Sequence, residues 1–564
     1  MKKIIILFLF ITIKVSAQNA LFVPDTLLGP FYNLTMHQDS VQFFPGNISH
    51  TYAFNSYHYL GPTLIFYRGS HINITVNNAL NDTTTVHWHG IHVPAVADGG
   101  PYSEIMPGAT WNPSFIVMDN AATYWYHPHT HMKTAEQAIK GAAGLIIVRD
   151  NTESALVLPR KYGIDDFPII VQSQQYDSMN QAMPLGMQDS TLLVNGTQNP
   201  YLNAPAQMVR LRLLNASGER TFNFGFTGNM PFYQIASDGG LLDTPYLTTR
   251  IRLAPGERAE VVLNLTPYIG TSVNLMSYGS ELPIGIQGGP TMPMPPGSPP
   301  MDSPLNGVDY NILQINVIAQ TMNPVTTIPT TLTTNTPYPE VSANRTRTIR
   351  FTADSAMVMD GSFYFNDSSF SMMRIDYRIP INSVEIWKLV NETMVAHPFH
   401  LHDMQFFILD RNGALPNASE AGRKDVVLVP PGDSVRFITK FTDYTDSITP
   451  YMFHCHILMH EDDGMMGSFL VLDSSAFIGI NELGIRNEEL RVYPNPATNE
   501  LRIRNYELGI KEVKIFTIMG EAVLQPTIKQ LSNLTIDISS LAKGIYFIQI
   551  KTQNQLLTTK FIKQ

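Results

Sequence analysis

The sequence predicts an all-β protein of several sandwich domains, and three observations carry that expectation. Short runs rich in Val, Ile, Phe and Tyr alternate apolar and polar residues, the period-2 pattern of half-buried strands. Gly, Pro, Asn and Asp break these runs at intervals of roughly ten residues, the turn spacing of a β-sandwich. Helical periodicity is nearly absent, and 564 residues exceed what one hydrophobic core serves. With 44% hydrophobic and 15% charged residues, the composition is that of a globular protein. The net charge of −10, with Lys and Arg scattered, leaves no footprint for nucleic acid.

The chain then reads in order. Lys2 and Lys3 precede an apolar run from Ile4 to Ile13, and Val15-Ser16-Ala17 offers a small-residue cleavage site. Residues 1–17 are therefore expected to be a signal peptide, too short to cross a bilayer, and the mature protein exported with no transmembrane segment. Three runs, His71 to Val76, Val209 to Leu214 and Val384 to Leu389, each lead into an asparagine: Asn77, Asn215 and Asn391. One strand-and-turn pattern thus recurs, which points to three related sandwich domains. Strand patterning lapses from Arg149 to Pro159, and again in the Thr/Pro-rich stretch Thr321 to Pro339. The expected domains are 18–150, 151–325 and 326–474, then a linker over 475–489 and a small β module over 490–564. A Pro/Gly/Met segment from Gly288 to Pro304 interrupts the second domain as a loop.

The single cysteine, Cys455, has no disulfide partner in a chain expected to be exported, and it lies between His454 and His456. Ten of the sixteen histidines fall in four clusters: His87/His89, His127/His129, His397/His400/His402 and His454/His456 with His460. Every cluster holds a His-x-His. Residues i and i+2 of a strand share a face, so each pair presents two imidazoles side by side, together enough for a polynuclear metal site. His397 lies an odd number of positions from His400, and Cys455 lies between its histidines, so both face the other way. Cys455, His397 and His460 with a weak axial Met465 make the ligand set of a blue copper centre. Cys455 is then joined covalently, through one residue, to imidazoles of the polynuclear site, a short conduit for electrons.

These motifs resemble the multicopper oxidase family, the bacterial three-domain laccases, bilirubin oxidases and cuprous oxidases in particular. The likeness runs from about Leu21 to Asp473, through His87-Trp88-His89-Gly90, Tyr126-His127-Pro128-His129-Thr130, His397-Pro398-Phe399-His400 and His454-Cys455-His456 followed by His460-Glu461-Asp462. The resemblance implies three cupredoxin-like Greek-key sandwiches, with about four coppers between and within the first and third. It assigns His87 and His400 to a type 2 copper, and His89, His127, His129, His402, His454 and His456 to a type 3 pair. It implies dioxygen and a small reducing substrate as reaction partners. Asp98 and Glu461 match family acids that supply protons near the cluster. The segment Tyr493-Pro494-Asn495-Pro496 with the late Gly544-Ile545-Tyr546 resembles the C-terminal sorting domain of type IX secretion substrates.

His92 and His131 are out of phase with the matched ligands and are expected to line the site, and His37, His50, His58 and His71 to be ordinary residues. The reductant stays open. Met292, Met294, Met301, Met357, Met359, Met372 and Met373 offer soft thioethers suited to Cu(I), the chemistry of a cuprous oxidase. Against that, Val395 stands where copper-efflux enzymes tend to place methionine, so phenol or bilirubin-type oxidation is an equal candidate. A copper-free structural homologue is expected to have lost ligands, and this sequence has lost none.

Overall fold

The computed structural model describes residues 18–184, 188–291, 303–354, 362–477, 491–504, 511–517, 520–526, 534–551 and 556–564. The expected signal peptide and Met292, Met294, Met301, Met357 and Met359 lie outside them. The chain forms two compact units, one ending at Leu472 and one running from Asp473 to Gln564. Both are built of strands, and among the described residues no helix is long and apolar enough to cross a membrane.

The larger unit contains three pairs of sheets, each closing on its own core. The first core gathers Phe54, Phe66, Trp88 and Tyr126; the second Phe167, Leu211, Phe224 and Val261; the third Phe351, Trp387, Phe399 and Phe453. Each core draws on both of its sheets, the packing that alternating strands require. The strands His71–Asn78, Met208–Asn215 and Val384–Asn391 occupy the same place in each: a parallel partner on one side, an antiparallel one on the other. The expected repeat is real, with one correction of register. In the second and third sandwiches the buried Asn215 and Asn391 side-chain oxygens accept from the backbone N–H two residues on, and their amides donate to two carbonyls. In the first, Asn78 does this, not Asn77. Asn78 is buried and Asn77 is not, because side-chain alternation sends them to opposite faces.

Two further features position the site. The strand His87–His89 pairs antiparallel with Ala122–His127, setting His87 opposite His127. The strand His397–Leu401 pairs with Tyr451–Cys455, setting His400 opposite His454. The middle sandwich is stitched to the first by buried charges: Arg210 and Arg212 both engage Glu260, which also accepts from Thr123 Oγ1 at 2.7 Å. Asn19–Ala20 pairs with Pro200–Tyr201 and so joins the middle sheet.

Candidate metal centres

Strand pairing brings the predicted histidines of the first and third sandwiches face to face. All eight imidazoles of the polynuclear set are buried. His89, His127 and His456 offer ring nitrogens within 4.8 Å of one another, as do His129, His402 and His454. Within these groups His89 Nδ1 lies 3.4 Å from His127 Nε2 and 3.3 Å from His456 Nε2. His129 Nε2 lies 3.2 Å from His454 Nε2 and 3.1 Å from His402 Nε2. His87 and His400 complete the set: each Nδ1 meets a backbone carbonyl, of Asp98 at 2.9 Å and of Asp425 at 2.8 Å. Their Nε2 atoms are left buried and without a partner. Such orphaned nitrogens are costly unless something binds them.

A separate group lies on the other face of the same strands. Cys455 Sγ is 3.6 Å from His397 Nδ1 and 3.7 Å from His460 Nδ1, and the two nitrogens are 3.2 Å apart. Thr393 Oγ1, 2.9 Å from His397 Nε2, engages the far nitrogen and leaves Nδ1 toward the sulfur. His460 stands on a short helix, Leu458–Asp462, and its ring packs on Phe363. Met465 is buried in the core that holds Cys455, whereas Met466 packs with Phe370 and Met452.

The electrostatics suit a soft, oxidisable cation. Burial, and then the neighbouring imidazoles, hold His89, His129, His400 and His402 well below the ordinary histidine range, so they are neutral donors. Burial pushes His460 down to about 3 and pushes the Cys455 thiol up. A thiol in that setting becomes a thiolate only with a cation beside it. One thiolate, two imidazoles and a thioether are the donors of a blue copper site, and imidazole suits copper generally. The residues therefore fit copper.

Two buried acids touch the imidazoles. Asp98 Oδ2 is 2.9 Å from His402 Nδ1, and its Oδ1 is 3.4 Å from His87 Nδ1. Glu461 bridges the sandwiches, with Oε1 3.3 Å from His129 Nδ1 and Oε2 3.1 Å from His454 Nδ1. The structure thus brings together every residue singled out for the site. His92 pairs with Asp119 at 2.7 Å, His58 with Asp39, and His131 packs on Phe370, none of them among the converging nitrogens. Sequence reading missed Asp425 and Thr393, which hold imidazoles from behind, and Arg258, which holds Asp425; none of them sits in a motif.

Known proteins give the same picture. Models described as "Multicopper oxidase" match residues 36–153 and 337–475, and one for a secretion system C-terminal sorting domain matches 491–564. A multicopper oxidase of Staphylococcus haemolyticus is 33% identical over 78% of this chain and 88% of its own. The cell division protein FtsP of Escherichia coli is 29% identical over 78% and 89%. A laccase-like multicopper oxidase, CueO, of Ochrobactrum sp. superposes with a TM-score of 0.70 at 30% identity, covering 80% of this chain and all of that one. Fold and relatives together define a copper-dependent oxidoreductase built from cupredoxin-like sandwiches. The chain belongs to the multicopper oxidase family, and its sorting domain implies export by type IX secretion.

Proposed function

We propose that the chain takes electrons singly from a small reducing substrate at a type 1 copper and delivers them to a trinuclear cluster that reduces dioxygen to water. In this reading His397, Cys455, His460 and axial Met465 hold the type 1 copper. His87 and His400 hold type 2, and His89, His127, His129, His402, His454 and His456 hold the type 3 pair, about four coppers per chain. When bound, copper supplies the one-electron chemistry at the thiolate and the four-electron reduction of dioxygen at the cluster.

The placement of Cys455 supports this most strongly. Its sulfur faces His397 and His460, while its chain neighbours His454 and His456 belong to the two imidazole triads. One backbone segment therefore links donor and acceptor sites. Reducing dioxygen to two waters also consumes four protons, and Asp98 and Glu461 are the groups that hold and pass them, through Oδ and Oε atoms beside the cluster imidazoles. The ligands fall within 18–150 and 326–474, and the middle domain, 151–325, supplies none.

The reductant is a phenol, a bilirubin-like compound or a metal ion such as Cu(I). Met373 is 94% exposed, so thioether sulfur is available at the surface for Cu(I). The test is metal analysis of purified protein, followed by steady-state oxidation of Cu(I), a phenol, bilirubin and iron(II) under air. About four coppers, a blue colour and turnover of one of these classes are expected. A protein that takes up no copper would sink this reading in favour of a copper-free structural homologue.

A further inference from the structure

The eight cluster imidazoles do not all present the same nitrogen. His127, His129, His402, His454 and His456 turn Nε2 toward their neighbours, and His87 and His400 leave Nε2 free. His89 alone among them is reversed, with Nδ1 toward His127 and His456. Behind it, His89 Nε2 lies 3.0 Å from Asp425 Oδ1. The backbone carbonyl of the same Asp425 accepts from His400 Nδ1 at 2.8 Å. His89 and His400 stack with centroids 3.8 Å apart and planes at 10°, yet one residue has fixed them in opposite tautomers.

Asp425 is itself clamped from the middle sandwich. Arg258 donates from Nη1 to Oδ1 at 2.5 Å and from Nη2 to Oδ2 at 2.6 Å, a bidentate pair buried from solvent. The other guanidinium donors reach the carbonyls of Thr123, Gly256 and Asp238 at 3.0–3.1 Å. Room for the clamp comes from Gly90, at φ +86°: a Cβ there would lie 2.5 Å from Asp425 Oδ2 and 2.7 Å from Arg258 Nη2.

We infer that Asp425, held by Arg258, is a positioning residue that selects Nδ1 of His89 and Nε2 of His400 as metal donors, so that the ligand-free middle domain sets the geometry of the cluster. A carboxylate that accepts a ligand imidazole's N–H fixes its tautomer and raises its donor strength. The inference rests on the copper-cluster reading above, and it assigns the middle sandwich a part in metal binding.

The test uses full-length protein stripped by a chelator, reloaded with Cu(I) without oxygen and reoxidised in air. Wild type is compared with Asp425→Asn, which keeps the shape and removes the charge. The expected result is an undiminished blue band and native circular dichroism, with copper affinity of the cluster weakened 10–100-fold and an altered type 2 electron paramagnetic resonance spectrum. Should Asp425→Asn not fold, Arg258→Lys carries the same test, because lysine keeps the charge and loses the bidentate geometry. A wild type that takes up no copper sinks the underlying reading. A wild type that loads normally, with a variant identical to it in cluster affinity and resonance, overturns the positioning role alone. So does loss of the blue band in step with the cluster, which marks a packing residue.

Discussion

Met465 and Met466 are neighbours whose side chains enter different cores, and only Met465 shares one with Cys455. A weak thioether donor gives electron density to copper, so Met465→Leu should raise the reduction potential of the blue centre by about 59 mV or more, a tenfold shift for a one-electron couple. Redox titration of the visible band checks this, with Met466→Leu expected to leave the potential where it was. A second residue-scale expectation concerns His92. Burial lowers its affinity for a proton, but Asp119 at 2.7 Å, with Asp403 and Asp443 nearby, outweighs that and pushes it up to about 9. A histidine that binds its proton more tightly folded than unfolded stabilises fully below about pH 6.5, and the contribution is lost as pH rises through about 9. The apparent unfolding temperature of the wild type should fall across that window by more than that of His92→Gln. Residue types and spacing made the converging ligands legible in the sequence, because strand alternation is local. Which nitrogen of each imidazole faces inward was not legible, because Asp425 and Arg258 act on His89 from distant parts of the chain, and Thr393, only four residues before His397, sits in no recognisable pattern.

At the scale of elements, the strands were readable where one face is buried and the other wet. His71–Asn78 alternates cleanly, and its register error of one residue, Asn77 for Asn78, arose because asparagines occupy both positions. The short helices were not readable. Thr134–Ile139 and Leu458–Asp462 are too brief to show a period of 3.6, and tertiary contacts hold them. One such contact is specific: the Asp462 carboxylate accepts from Thr134 N and Ala135 N, each at 2.9 Å. A residue of the third sandwich thereby caps a helix of the first, next to His460 and Glu461. Removing a cap costs about 1 kcal/mol. Asp462→Ala should therefore lower the melting temperature of the larger unit by about 1 °C. Calorimetry on copper-loaded protein reads the change, and a variant that melts with the wild type would mean that water replaces the carboxylate at no cost.

Across the whole molecule, the sequence showed three related sandwiches because the strand-and-asparagine pattern repeats, and a fourth module because its motifs are of another kind. The division into two compact units, with the break at Leu472 and Asp473, has a functional consequence. The second unit closes on a core of its own, including Leu501, Ile515, Ile548 and Phe561, and contains no histidine. A module with its own core folds without its neighbour and can be removed without opening the other. The chain truncated after Ala476 should then bind copper, show the blue band and turn over substrate with kcat within about twofold of the full protein, since every candidate ligand precedes the cut. Export should respond in the opposite way, because the sorting domain lies wholly in the removed part. In a host with type IX secretion, the full chain should reach the cell surface or medium and the truncated chain should accumulate in the periplasm. Cell fractionation combined with an activity assay reads both halves at once. Lost activity in a soluble, truncated protein would mean that the second unit supports the oxidase fold, and surface delivery without it would mean that the address lies elsewhere in the chain.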